Sequence, residues 1–456
     1  MKKSGISRRN FLGKAATVGM AGVIVPSIIT SCARETKKVV PVANFLDQAP
    51  DGPVLKAGLI GCGGRGTGAA INFLSAGPNL KIVALGDTFQ DRIDSCRAEI
   101  LKQKGQEVPV DKCFVGFDAY QKVLDAGVDL VILATPPFFR PDHLAAAIQA
   151  KKHVFAEKPV CVDPVGARSV MASSQKAKGM ELCIVTGTQR RHQRDYISAW
   201  QQVGQGAIGD VVSGNVYWNG GKLWHRDPNP KWSEMEYMIR NWVNWTWLSG
   251  DHIVEQHVHN LDVMNWFTGT HPARAVGFGS RLRRVTGNQY DNFSIDFEFE
   301  DGRHFHSMCR QIDGCTDNVS ERIQGSKGSV FLSQSQEVYL KDLAGTVIWK
   351  YAYPPDENGK QSKSKMVDPY LQEHIDLVTA IRTNKPINEA ENTAISTMIA
   401  IMGRISAYTG KETTYEEMMN SDLKLGPKVF AFGPVDVDKT VPVAGLAYVP
   451  EPAPAK

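Results

Sequence analysis

The chain has 456 residues, long enough for two or three domains with sizeable cores. Hydrophobic residues make up 42% and charged residues 22%, which excludes a disordered, collagen-like or polytopic membrane protein. The formal net charge is +4, yet residues 1–31 hold Lys2, Lys3, Arg8, Arg9 and Lys14 and no acidic residue; the rest is near neutral, with no basic domain for nucleic acid.

In chain order, the first segment reads as an address. Ser7-Arg8-Arg9-Asn10-Phe11-Leu12 is a twin-arginine pattern, and the apolar run 15–29 behind it is short for a spanning helix. The run ends Ile29-Thr30-Ser31-Cys32. This predicts a signal peptide over 1–31, export to the periplasm, and a lipid anchor at Cys32 as the one membrane contact. A folded cargo favours a cofactor bound before export. The other seven cysteines are irregularly spaced, with no C-x-x-C pair and no zinc pattern. Thiols are expected, and no metal site.

Residues 32–52 read as a linker. Apolar strands are predicted at 55–60, 80–85, 130–134, 153–156 and 182–185, alternating with helices at 68–76, 91–104, 142–150 and 164–178. That pattern is an α/β doubly wound parallel sheet over 53–188. Beyond it Phe293, Ile295, Phe297 and Phe299 alternate with polar residues, and Asp301-Gly302 turns the chain into a strand at 303–312. Further strands are expected at 211–218, 273–284, 330–332 and 338–340, and helices at 369–382 and 393–408, the last capped by Gly410. Residues 189–425 thus form a second α/β domain with a mostly antiparallel sheet. Residues 426–456 are a Pro-rich tail; the linker or this tail is a candidate cover for the site.

Gly61-Cys62-Gly63-Gly64-Arg65-Gly66 follows the first strand and opens a helix, the context that G-x-G-x-x-G requires for a dinucleotide. The second strand ends in Gly86-Asp87, placing a carboxylate where a ribose 2′-hydroxyl would lie and a 2′-phosphate would be repelled. NAD is the expected cofactor. Arg92 stands as a caution against that preference, although its place further along the helix also suits a solvated residue.

Ala134-Thr135-Pro136-Pro137, His143, Lys152-His153-Val154 and Glu157-Lys158-Pro159 make the pattern specific. From about residue 56 to 417 the chain resembles the glucose-fructose oxidoreductase / inositol dehydrogenase / rhizopine catabolism superfamily. The resemblance implies a Rossmann domain, a C-terminal α/β domain with an open sheet, NAD(P), a small carbohydrate or cyclitol substrate, and a homo-oligomer. With the glycine loop it places Gly61, Gly63, Gly64, Arg65, Gly66, Asp87, Thr135, Pro136, Pro137, His143, Glu157 and Lys158 at the cofactor, with Lys158 beside both nicotinamide and substrate, and Gln189, at the end of a predicted strand, is expected to face the same cleft.

In the segment 250–262, Glu255, His259 and Asp262 fall at i, i+4 and i+7, beside a core stripe of Val254, Val258 and Leu261. The three match the superfamily's acid, histidine and aspartate; many members carry Asp where this chain has Glu255. His259, with an ordinary pKa near ~6.5, is the candidate general base for a substrate hydroxyl. Glu255 or Asp262 would orient it, and His257 is structural. Aromatic residues are dense over 217–247. Most read as core, with Trp242 kept as a sugar platform and Arg190 and Asp262 as polar substrate contacts.

Three functions compete. The first is an NAD-dependent sugar or glycoside dehydrogenase with a tightly bound cofactor recycled in place. The second is an NAD-dependent glycosidase working through a transient 3-keto sugar; Lys158, usually replaced in a related glycosidase family, favours the first. The third is a non-catalytic, lipid-anchored binding protein.

Overall fold

The computed structural model describes residues 45–446 and Tyr448. The expected signal peptide, Cys32, most of the linker and the end of the tail lie outside the described residues.

Six strands form a wholly parallel sheet: β1 (Leu55–Ile60), β2 (Leu80–Asp87), β3 (Cys113–Val115), β4 (Leu130–Leu133), β5 (His153–Ala156) and β6 (Ile184–Thr186). Their order is β3-β2-β1-β4-β5-β6, so the winding reverses between β1 and β4 and opens a crevice at their carboxyl ends. The strands are apolar on both faces because both are covered. Ala57, Leu59, Phe155 and Val185 share one core with Phe73, Ile93, Ile375 and Val378. Ile375 and Val378 come from the helix Pro369–Arg382, a late segment that returns to cover this first sheet. On the other face Val131, Leu133, Val154 and Ile184 run into the core of the second sheet.

The second sheet holds β7 (Val211–Gly220), β8 (Arg274–Ser280), β9 (Asn292–Glu298), β10 (His304–Gln311), β11 (Asn318–Gly325), β12 (Gly328–Ser333), β13 (Tyr339–Asp342), β14 (Val347–Lys350) and β15 (Thr413–Thr414). Its order is β14-β13-β12-β11-β7-β10-β9-β8-β15, antiparallel except for the central β7–β10 pair. The helices Val258–Thr268 and Ala390–Thr409 cover its inner face. Gly410 ends the latter at φ 71°, the left-handed cap expected of it.

Three departures from the sequence reading have physical causes. β8 stops at Ser280 rather than 284, because the Asp291 carboxylate accepts the backbone N–H of Leu282, Arg283 and Arg284 and turns the chain away. β11 went unpredicted although it is central; its polar run includes Glu321, fully buried and paired with Arg190 at 2.5 Å. Across 250–262 the expected single helix is two, His252–Glu255 and Val258–Thr268.

Candidate active site

The crevice at the ends of β1 and β4 is a cleft of about 400 Å³. The glycine loop forms its floor. Gly61 has φ 98°, and a Cβ on Gly66 would overlap the Gly61 carbonyl, so both positions demand glycine. Gly63 and Gly64 face open space at the start of the helix Gly64–Ser75, whose free N–H groups suit a pyrophosphate. Asp87 accepts from Cys62 N at 2.7 Å and Phe89 N at 2.9 Å, and burial raises its pKa. Each oxygen retains a further lone pair for a ribose hydroxyl. Thr135, Pro136 and His143 line the same cleft, with Thr135 Oγ1 at 3.2 Å from His143 Nδ1. Pro137 opens the short helix Pro137–Phe139 behind them. Burial and the nearby Arg140 lower the His143 pKa to about 3. This set of open glycine positions, helix N-terminus and ribose-level carboxylate fits a dinucleotide.

Arg65 is clamped at the mouth. Its Nε donates to Glu157 Oε1 at 2.5 Å, its Nη2 lies 3.5 Å from Glu373, and its guanidinium stacks 4.5 Å from the Tyr370 ring. Gln189, fully buried, donates to the Tyr370 hydroxyl at 3.3 Å. Tyr370 and Glu373 went unnoticed in the sequence because they lie some 300 residues from their partner, on a helix with no motif of its own.

Just past β5, in a Glu-Lys-Pro turn whose Lys158–Pro159 peptide is cis, Lys158 Nζ donates to Glu255 O at 2.6 Å and to Glu255 Oε1 at 3.2 Å. The helix break makes the first bond available. His257 N bonds back to His252 O and His259 N to Gln256 O, so no later N–H of the helix takes the Glu255 carbonyl. Arg404, fully buried, bridges Val162 O at 3.0 Å and Gly250 O at 2.8 Å. It thereby ties the loop after Lys158 to the start of the segment that carries Glu255.

His259 is buried and stacks on Trp218 from β7, with ring centroids 5.6 Å apart and planes at 20°. Burial first, then the charges of Lys158 and Arg190, push its pKa well below the ordinary histidine value. It is therefore neutral at physiological pH and able to accept a proton. Its Nδ1 has no hydrogen-bond partner among the described residues. Trp218 was passed over in the sequence as one aromatic residue among many. His257 is held by Ser307 at 2.6 Å, a structural contact.

Several expectations are corrected. Asp262 makes no hydrogen bond to His259 among the described residues: Arg191 takes both its oxygens, at 2.8 and 3.0 Å, and Ser396 donates to one of them. Trp242 lines the nucleotide cleft together with Trp224, Arg226 and Arg240, and Arg92 joins them there rather than facing bulk water. Arg190 is 1% exposed, paired with Glu321, and its guanidinium lies 5.6 Å from the Trp218 ring centre, beneath His259's stacking partner. All seven described cysteines are free thiols.

The tail buttresses the cleft wall. Phe432 stacks on Phe89 at 6.0 Å and meets Phe117 at 5.6 Å, while Phe430 contacts Phe139 at 5.6 Å. Phe89, Phe117 and Phe139 all line the cleft. Gly433 O accepts from Met235 N at 3.1 Å, and Val435 N donates to Glu234 at 2.7 Å, fastening the tail to the helix Glu234–Arg240.

The chain is similar to known proteins in sequence and in fold. The chain is 24% identical over 293 residues to a scyllo-inositol 2-dehydrogenase (NAD(+)) of Bacillus subtilis, covering 64% of this chain and 77% of the relative. It is 26% identical over 215 residues to a glycosyl hydrolase family 109 protein of Streptomyces coelicolor, covering 46% and 44%. Its fold is like that of a scyllo-inositol dehydrogenase of Lactobacillus casei crystallised with NAD(H) and scyllo-inositol, with a TM-score of 0.60 at 21% identity over 80% of this chain and 99% of that one. Residues 55–186 match the oxidoreductase family with an NAD-binding Rossmann fold, and residues 196–331 match the GFO/IDH/MocA C-terminal domain. With the glycine loop, Lys158 and both domains in place, the chain belongs to the GFO/IDH/MocA oxidoreductases and carries their NAD-binding fold.

Proposed function

We propose that this protein is a dehydrogenase that oxidises a hydroxyl of a cyclitol, sugar or glycoside. The observation that carries the reading is Lys158, anchored twice by Glu255, together with a buried His259 kept neutral by burial first and then by the charge of Lys158. Bound NAD would accept the hydride from the carbinol carbon. His259 would take the hydroxyl proton, and the Lys158 ammonium would stabilise negative charge on the oxygen as the carbonyl forms. Glu255 would hold the ammonium in place, and Trp218 would fix the plane of the histidine ring.

The proposal includes export by the twin-arginine signal to the periplasm, anchoring through Cys32, and a cofactor retained and recycled in place. The tail and the Trp224–Trp242 wall support retention, because they back and flank the cleft. It also includes a homo-oligomer formed through the outer sheet face. There Phe278, Ser294 and Met308 stand in one row across β8, β9 and β10, with Phe278 76% exposed.

The glycosidase reading retains one supporting observation, the similarity to a glycosyl hydrolase family 109 protein. One experiment separates the two. Protein from the periplasmic or membrane fraction is incubated with inositols and methyl glycosides without added cofactor, and products are read by mass spectrometry. Loss of two hydrogens supports the dehydrogenase. Release of methanol with an intact sugar supports the glycosidase, and neither product from a panel covering both classes contradicts both.

A further inference from the structure

A second cavity, of about 250 Å³, opens where the chain leaves β7 and β10. These strands are parallel neighbours, so the segments after Gly220 and Gln311 emerge on the same edge of the sheet. The cavity abuts the catalytic segment: Gln311 in its wall donates to the side chain of Gln256, the residue after Glu255, at 3.2 Å. Its charge is one-sided. Lys222, Arg283 and Arg284 line it against a single carboxylate, Asp313, which sits 3.4 Å from Lys222 Nζ.

Among the described residues, neither the Arg283 nor the Arg284 guanidinium forms an ion pair with a carboxylate, although the Asp291 carboxylate lies against the backbone of both. Arg284 donates instead to two neutral oxygens, Asn244 Oδ1 at 2.8 Å and the Gln311 side chain, and its buried Nε has no partner among the described residues. Thr286 Oγ1, also in the wall, is likewise buried and unpartnered. The backbone beneath both arginines is pinned, since Asp291 accepts from Arg283 N at 2.7 Å and Arg284 N at 2.9 Å. Guanidinium charge held in place by neutral acceptors in a concave site remains available to an anion from outside.

We propose that this cavity is a subsite for an oxyanion substituent of the substrate, a carboxylate or a sulfate ester on a carbohydrate, at a position remote from the carbon that is oxidised. The inference rests on the dehydrogenase reading for what sits beside Lys158, but its test does not depend on turnover.

The cofactor-loaded protein is titrated calorimetrically with methyl glycosides of glucose, galactose and mannose, with the matching uronides, and with the 6-sulfates. At least one anionic glycoside should bind about tenfold or more tightly than its neutral parent. The preference should shrink in high salt and in Arg283→Gln, an exposed position, as well as in Arg284→Gln. Preference for uronides alone assigns a carboxylate, and preference for both anions assigns a general oxyanion site. No anionic glycoside binding more tightly than its parent, or a preference untouched by both variants, overturns the proposal. Tight uronide binding without oxidation of any glycoside, free sugar or inositol would leave the subsite standing and remove the dehydrogenase reading. Oxidation of neutral glycosides without anionic preference would do the reverse.

Discussion

Lys158 reaches Glu255 through two different acceptors, the backbone carbonyl at 2.6 Å and the carboxylate at 3.2 Å. The carbonyl bond survives any substitution of the Glu255 side chain, so it positions the ammonium, whereas the carboxylate offsets its charge. The two roles are separable. Lys158→Ala should lower kcat by about 10²–10⁴-fold with cofactor content unchanged. Glu255→Gln should cost less, because the carbonyl still holds Lys158. Steady-state kinetics and the amount of NAD(H) released on denaturation check both. A larger loss in Glu255→Gln than in Lys158→Ala would contradict this division.

His259 gives a prediction in pH. Its depressed pKa keeps it deprotonated well below ~6.5, the ordinary histidine value. The acid limb of kcat/KM should therefore fall below that value, and activity at pH 6 should match that at pH 7. His259→Asn should remove most turnover and leave cofactor binding intact. A limb centred at or above ~6.5 would show that another group takes the proton.

Stability should also depend on pH. His143, His257, His259 and His374 are all buried with pKa values lowered chiefly by burial. Below ~6.5 the unfolded chain binds protons that the native chain does not, so stability is lost as pH falls from there toward the native values. Each such histidine contributes ~1.4 kcal/mol per pH unit in that window. His192, raised by Glu389 and Asp376 against its desolvation, works the other way; its contribution is present below ~6.5 and lost as pH rises through its native value. His374 is the clean test, since its ring lies 4.2 Å from that of Phe155, tilted by 32°, and neither ring nitrogen has a partner among the described residues. His374→Leu should flatten the denaturant-measured dependence between pH 5 and pH 6.5 by about one proton's worth. An unchanged slope would contradict the burial of a neutral ring.

Much of this site was legible because its parts are local. The glycine loop lies between one strand and one helix, and Lys158 sits in a tripeptide at a strand end; both act within a few residues of their motif. Glu255 and His259 were legible as residue types but not in their geometry. An unbroken helix satisfies the periodicity equally well, and only tertiary contacts make it break at Gln256 and His257. Asp262 misled for a related reason: its helical spacing to His259 is right, but Arg191 lies nearer in space. β11 was hidden because a buried ion pair looks like a surface strand. The cleft wall at Trp224, Arg240 and Trp242 depends on distant chain returning to the Rossmann domain, which spacing does not encode.

The tail supplies a prediction about retention. Phe430 and Phe432 support Phe89, Phe117 and Phe139, which line the cleft. Ending the chain after Leu425 should speed loss of bound NAD(H) on gel filtration. Phe432→Ala, at a 53% exposed position, should do so with a smaller effect on folding. An increase of about tenfold corresponds to ~1.4 kcal/mol of lost retention. Wild-type retention in both variants would show that the tail is only packing.

The most direct measurement is a single-turnover experiment on protein carrying its own cofactor. Purified enzyme is mixed with excess cyclitol or glycoside under anaerobic conditions, with no NAD added, and the near-ultraviolet absorbance of reduced nicotinamide is followed. The expected result is a rise of about one equivalent per bound cofactor in the unmodified protein, and none on the same timescale in Lys158→Ala or His259→Asn that retain NAD. An equal rise in both variants would contradict the assignment of Lys158 and His259 to the reaction.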